Sequence, residues 1–201
     1  MSLKIGVDID GILAQFEGGF RRKLDQVRPG VIPATFDWAG ITCWDWPQEQ
    51  FGYSVAEVDA AWDLAKADPL FWVLLNPYPD AMSFLTRLRE LALTEDYDVY
   101  FCTNRFGKRA KSQTEDWLSL CSWPDPTVLL VEGKGLMARA LQLDYYIDDK
   151  VVHCEGVRAE SPKTKGFMLA RGWNKAVWGV PRLNSLTEFL AIIEEARHAH
   201  A

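Results

Sequence analysis

Leu3-Lys4-Ile5-Gly6-Val7-Asp8-Ile9-Asp10-Gly11 is the stretch whose reading decides the fold. Leu3, Ile5, Val7 and Ile9 form an apolar run suited to burial as a strand, and the run stops at two carboxylates and a glycine. With a strand over 3–9, the alternation of side chains puts Asp8 and Asp10 on the same side. Like charges that close repel, and burying them is costly unless a cation or hydrogen bonds compensate. A purely structural role is therefore unattractive, and the pair predicts a site for a divalent metal or a phosphate.

Three further β-like runs end in polar chemistry. Asp98 to Phe101 leads into Cys102, Thr103 and Asn104; Thr127 to Val131 is followed by Glu132-Gly133-Lys134-Gly135; Tyr145-Tyr146-Ile147 runs into Asp148-Asp149-Lys150. Strands at 98–103, 127–131, 144–148 and 166–170 alternate with helices at about 109–121 and 135–142, and a last helix runs from Ser185 to about Arg197. That alternation predicts an α/β fold, a Rossmann-like parallel sheet with helices on both faces. Ligands of such sheets bind at the carboxyl ends of the strands, so acids, Thr103 and Lys134 converge on one crevice.

The excursion between the first two strands is long. Phe16 to Val27 reads as helix. Residues 28–53 form an irregular loop rich in Pro, Gly and Trp. Ser54 with Glu57 is a capping-box pattern opening a helix that Pro69 stops. Pro77 and Pro79 mark the return, and Asp80 opens a helix to about Leu93. The division is thus a core of 1–15 and 77–201, with a small helical cap, 16–76, inserted after the first strand. Excursions of this length are usually functional lids.

Asp8-Ile9-Asp10-Gly11, Thr103, Lys134 and Asp148-Asp149 resemble the four ordered motifs of the haloacid dehalogenase superfamily of phosphohydrolases. Asp8 through Phe20 resembles the first motif of the 5'(3')-deoxyribonucleotidase family almost residue for residue. Phe71 to Ala81 resembles that family's cap exit. Gly166 to Leu169 and Arg171 to Asn174 resemble its late strand and loop. The stretch from about 21 to 68 diverges, and there such families set specificity.

The resemblance implies a phosphomonoester hydrolase that works through an aspartyl phosphate. Asp8 is then the nucleophile, and Asp10 the general acid and later the base. Gly11 lets the backbone approach a phosphate, Thr103 and Asn104 donate to its oxygens, and Lys134 balances charge in the transition state. Asp148 and Asp149, with Asp8 and the Asp10 carbonyl, form an oxygen site suited to Mg²⁺, Asp149 being the direct ligand ahead of Asp148. Phe16, Trp44, Trp46 and Trp62 are the cap aromatics to set beside a nucleobase, with Phe16 and Trp46 matching the family's stacking positions best. Lys150, Arg105, Lys108 and Arg109 read as solvated, and His153 as a surface loop residue.

The substrate expected is a nucleoside monophosphate. A sugar phosphate or other small phosphomonoester is the nearest alternative, and a catalytically silent nucleotide-binding module the next. No Walker-type loop supports a kinase. A net charge of −6 without a dominant basic patch argues against polymeric nucleic acid as a partner. No run approaches the roughly 20 apolar residues of a membrane span, so no membrane partner is expected. The four cysteines show no C-x-x-C spacing, Cys102 reads as a buried thiol, and the three histidines are too scattered for a metal cluster. No signal peptide precedes the first strand, and a reducing cytoplasm is the default location. A homodimer is left open.

Overall fold

In the computed structural model, which describes residues 2–94 and 96–200 (the backbone alone for 198–200), Leu3–Val7 form β1 at the centre of a six-stranded parallel sheet. The other strands are β2 (Tyr97–Thr103), β3 (Val128–Leu130), β4 (Tyr145–Asp148), β5 (Lys165–Leu169) and β6 (Arg182–Leu183), in the order β3-β2-β1-β4-β5-β6. Ile5 stands opposite Val99 on one side and Tyr145 on the other. The strand order reverses beside β1, between β1 and β4, where crevices of open sheets form.

The helices are α1 (Phe16–Val27), α2 (Trp46–Glu49), α3 (Val55–Ala67), α4 (Ala81–Thr94), α5 (Ala110–Leu120), α6 (Lys134–Leu141), α7 (Val151–Glu160) and α8 (Leu186–His200). Leu3, Ile5, Val7, Phe101 and Ile147 bury themselves on one face of the sheet with Leu88 of α4, Trp117 of α5 and Phe189 of α8. Cys102 and Tyr146 belong to the other face, with Met137 of α6 and Val157 of α7. Cys102 is fully buried, and its thiol is pushed up to about 12 by that burial. The apolar cluster of the first face runs without a break into residues 16–76, through Phe20, Trp46, Ala61 and Phe71. Ser54 and Glu57 close the capping box on α3, and α3 packs on α1.

Four details depart from the sequence reading. β1 ends at Val7 rather than residue 9. The Asp8 amide still donates to the Ile147 carbonyl, but the Ile9 carbonyl then accepts from Leu13 and Ala14 at 2.7 and 2.8 Å, folding the chain into a turn. Asp8 thus lies just past the end of the strand, and Asp10 inside that turn. Residues 151–160 are a helix, and β6 adds an edge strand whose two residues are too short a run to show a period. α8 continues through His200, past the expected end near Arg197; the side chains of His198 and His200 lie outside the described residues. Among the described residues no helix is long and apolar enough to cross a membrane.

Candidate active site

The turn after β1 places Asp8, and Gly11 makes the turn feasible. Its φ of +83° is a conformation L side chains rarely adopt, and a Cβ there would run into the Asp149 carboxylate. Asp149 and Asp148 sit where β4 gives way to α7. Ligand atoms of Asp8, Asp148 and Asp149 lie within 4.8 Å of one another, and all three residues are buried. Lys134, the first residue of α6, reaches in from β3's side. Its Nζ donates to Asp8 Oδ1 at 2.7 Å and makes a short hydrogen bond to the Cys102 carbonyl. Gly135 serves packing, since a Cβ there would strike the Gly156 backbone of α7.

Lys134 pairs with Asp8, His153 with Asp148, and the charge of Lys150 acts on Asp149, so three buried carboxylates outnumber the two lysine cations near them when all are ionised. Burial pushes the Asp8 carboxyl up to about 7, Lys134 pulling against it and Asp148 adding to it. Burial, then the charges of Asp148 and Asp8, push Asp149 well above the usual carboxylate range. Asp148 goes the other way: burial raises it, but the His153 hydrogen bond, the Lys134 charge and the Tyr146 hydroxyl outweigh that. Lys134 is raised despite burial, because Asp8 and Asp148 favour its charge.

Donor counts separate the two neighbouring acids. Asp148 Oδ2 accepts from the Tyr146 hydroxyl at 2.5 Å and lies 2.9 Å from His153 Nδ1, and Oδ1 accepts from the Lys150 amide at 2.9 Å. Asp149 Oδ2 accepts from Trp173 Nε1 at 2.8 Å, whereas its Oδ1 is buried with no hydrogen-bond partner. An orphaned carboxylate oxygen among three buried acids whose ligand atoms lie within 4.8 Å of one another fits a divalent cation.

A stability consequence follows from the raised acids. A carboxyl whose folded pKa exceeds its unfolded value binds more protons when folded, so stability falls as pH rises between the two. For Asp8 that window is from 3.8 to about 7. In EDTA the melting temperature is expected to drop across this window, and excess Mg²⁺ to flatten the drop. A profile identical in EDTA and Mg²⁺ would contradict a cation among these acids.

Above the acids lies a cavity of about 170 Å³. Asp8, Asp10, Thr103 and Asn104 line its floor, Phe16, Trp44, Trp62, Trp72 and Phe106 its walls, and Lys150 and His153 its side. Phe16 stacks on Trp62 with centroids 5.4 Å apart, and Phe106 sets its edge to Trp62 and Trp72 at 5.0 and 5.1 Å. Trp46 is not on this wall. It is 5% exposed and packs edge-on against Phe20, Trp38 and Phe51, within the apolar cluster of residues 16–76. Trp44 is 44% exposed at the rim, with Lys150 Nζ 3.9 Å from its ring centroid and Trp173 5.8 Å away.

Several contributors escape sequence reasoning. Phe106 carries no motif, and Trp72, though inside the stretch that resembles a cap exit, is not among the aromatics the sequence sets beside a base. Lys150 lines the cavity instead of standing free in solvent, and His153 points back at Asp148 because residues 151–160 are helical. Arg105 is buried, not solvated, and forms a two-armed ion pair with Asp10. Thr103 donates to that same carboxyl at 3.2 Å. The one available signal for Arg105 was its place two residues beyond the end of β2, where polar side chains face the crevice.

No family model matches the chain. It is 28% identical over 148 residues to the human mitochondrial 5'(3')-deoxyribonucleotidase, which covers 71% of this chain and 62% of that protein. The mouse protein of the same name is 27% identical over 71% of this chain and 64% of its own length. The chain thus spans less than two thirds of the length of these curated relatives. Among solved structures, a haloacid dehalogenase-like hydrolase from Streptococcus pneumoniae superposes with a TM-score of 0.62 at 13% identity, over 96% of this chain and 98% of that one. A haloacid dehalogenase family hydrolase from Deinococcus radiodurans, with bound phosphate and sodium, gives 0.61 at 14% identity over 97% and 96%. A Bacillus subtilis haloacid dehalogenase-type hydrolase bound to magnesium gives 0.60 at 13% over 96% and 98%.

Proposed function

We propose that this chain, a haloacid dehalogenase-like protein by fold, is a Mg²⁺-dependent phosphomonoesterase acting on nucleoside monophosphates. One observation carries the reading: ligand atoms of Asp8, Asp148 and Asp149 lie within 4.8 Å of one another, with Lys134 on Asp8 and a buried Asp149 oxygen unpartnered, and Asp8 opens onto the floor of an aromatic-walled cavity.

Asp149 through Oδ1, Asp8 and the main-chain carbonyl of Asp10 would hold the cation, with Asp148 behind them. When bound, a divalent ion supplies the charge neutralisation that lets a carboxylate approach a phosphoryl group. Asp8 then attacks phosphorus. A bond from its carboxylate oxygen to phosphorus forms as the ester P–O bond breaks, and Asp10 gives a proton to the departing alkoxide. In the second half Asp10 takes a proton from water, the water oxygen bonds to phosphorus, and the bond to Asp8 breaks, returning both acids to their starting state. Lys134 keeps positive charge 2.7 Å from Asp8 throughout. The division into a core and a cap of 16–76 belongs to the same proposal: the core supplies the acids and Phe106, and the cap supplies the other walls.

The walls favour a nucleotide over a sugar phosphate, because Phe16, Trp62, Trp72 and Phe106 offer ring faces and edges where a sugar would need hydrogen bonds. The test is phosphate release from nucleoside 5'- and 3'-monophosphates and a set of sugar phosphates, in Mg²⁺ and in EDTA. Nucleotides are expected to turn over, EDTA to stop them, and Asp149→Ala to raise the Mg²⁺ requirement steeply. Turnover that is unaffected by EDTA, or confined to sugar phosphates, would overturn the proposal.

The placement of the tryptophans gives a second test. Trp62→Ala is expected to lower kcat/KM for a nucleotide about 5- to 150-fold, the value of one stacked ring, and to spare a small phosphomonoester lacking a base. Trp46→Ala should instead cost about 3–5 kcal/mol of stability and reduce both substrates in parallel, as removal of a packed tryptophan does. Substrate assays beside denaturation curves separate the two, and the opposite assignment would move the base site to Trp46.

A further inference from the structure

We infer that Arg105 is a positioning residue for Asp10: its guanidinium determines which carboxyl oxygen of Asp10 exchanges the proton with the reacting ester. This rests on the phosphomonoesterase reading and extends it to a side chain outside the cavity. The Arg105 side chain is 0% exposed, and it does not line the cavity, whereas the Asp10 side chain is 20% exposed and does. Arg105 is thereby kept from substrate, and its influence passes through Asp10.

The contacts around Asp10 are unequal. Arg105 Nε donates to Oδ2 at 2.9 Å, and Thr103 Oγ1 donates to the same oxygen at 3.2 Å. Arg105 Nη2 donates to Oδ1 at 2.8 Å, the one donor that oxygen has among the described residues. A carboxylate oxygen has about two lone-pair sites, so Oδ2 is filled and Oδ1 keeps one free. The proton given to the leaving group, and taken later from water, is carried on Oδ1.

The guanidinium is itself held rigid. Its Nη1 donates to Thr114 Oγ1 at 3.0 Å, and Thr114 is anchored by its own hydrogen bond to the Ala110 carbonyl at 2.7 Å. The Trp72 ring lies 4.8 Å from the guanidinium carbon and the Trp117 ring 5.9 Å. Trp72 is pinned in turn by its indole N–H on the Phe106 carbonyl, and Trp117 by its own on the Leu75 carbonyl. All three arms of a planar fork are committed, and a lysine could keep the charge but not the fork.

A positioned acid matters in proportion to how poorly the leaving group departs. An alkoxide needs the proton; nitrophenolate leaves with little help. Arg105→Lys is therefore expected to lower the single-turnover rate of alcohol release from a nucleoside monophosphate about 10- to 100-fold, with KM within about twofold, and to change the single-turnover release of nitrophenolate from p-nitrophenyl phosphate less than about threefold, while hydrolysis of the phosphoenzyme, common to both esters, slows equally. Asp10→Asn should show the same bias, and the double variant should lose no more than Asp10→Asn alone. Thr114→Val removes the acceptor of the third arm while keeping its shape. It should repeat the bias at smaller amplitude, and it carries the test if Arg105→Lys does not fold. Equal losses in the release step on both esters, a loss carried by KM, or additive losses in the double variant would overturn the inference. Wild-type protein that hydrolyses neither ester would instead overturn the phosphomonoesterase reading, and the inference with it.

Discussion

Asp8→Asn is expected to fold as the wild type does and to hydrolyse phosphomonoesters at least about 10⁴-fold more slowly, the scale seen when a nucleophile is removed. The amide has the carboxylate's shape, and its oxygen can still accept from Lys134, so packing around the 7% exposed side chain is kept. It cannot form an acyl phosphate, and it weakens any cation held with Asp148 and Asp149. Stability points the other way. Asp8 is an acid that burial has pushed up to about 7, so above that pH its ionisation works against folding. At pH 8 in EDTA the variant should melt no lower than wild type. Single-turnover assays with a melting curve at that pH check both halves, and activity within about tenfold of wild type would remove Asp8 from the nucleophile's role.

Lys134→Met is expected to lower stability and turnover together. Lys134 is 2% exposed and is the cation held against Asp8, with Asp148 adding to its charge stabilisation. Taking it away leaves three buried acids without that partner, and breaking a buried ion pair costs about 3–5 kcal/mol. The loss should be largest at pH 8 in EDTA and shrink at pH 5, where the raised acids take up protons. Mg²⁺ should restore part of it. Turnover should fall by about 10²–10³-fold even where the protein is folded, since a charge aimed at the phosphoryl group is gone. Denaturation curves at the two pH values, with and without Mg²⁺, measure this directly. A variant as stable as wild type at pH 8 in EDTA would mean that the acids are not compensated by Lys134.

The sequence determined the sheet and the ends of its strands. Apolar runs such as Ile5 to Val7 and Tyr145 to Ile147, each ending in acids, read as buried strands, and the helical periods between them leave a parallel α/β arrangement as the economical solution. Acids, Thr103 and Lys134 at the C-terminal ends of those runs must then meet near the reversal of strand order, which is where Asp8, Lys134, Asp148 and Asp149 stand. The chain's order alone carried that much, because strand position depends on local pattern. Everything that depends on which side chain reaches which was decided by the tertiary structure. Trp46 and Trp62 look alike in sequence, yet one is packed among Phe20, Trp38 and Phe51 while the other walls the cavity. Arg105 and Arg109 stand four residues apart in one polar stretch, yet the first is buried on Asp10 and the second is exposed. Asp148 and Asp149 are adjacent, and only the donors brought by Tyr146, His153 and Trp173 leave one oxygen of Asp149 unpartnered. Phe20 on Trp46, Arg105 on Asp10 and Trp173 on Asp149 come from segments far apart in the chain, and even Tyr146 and His153, near Asp148 in sequence, reach it only because a strand and a helix turn them there, which no periodicity within either segment records.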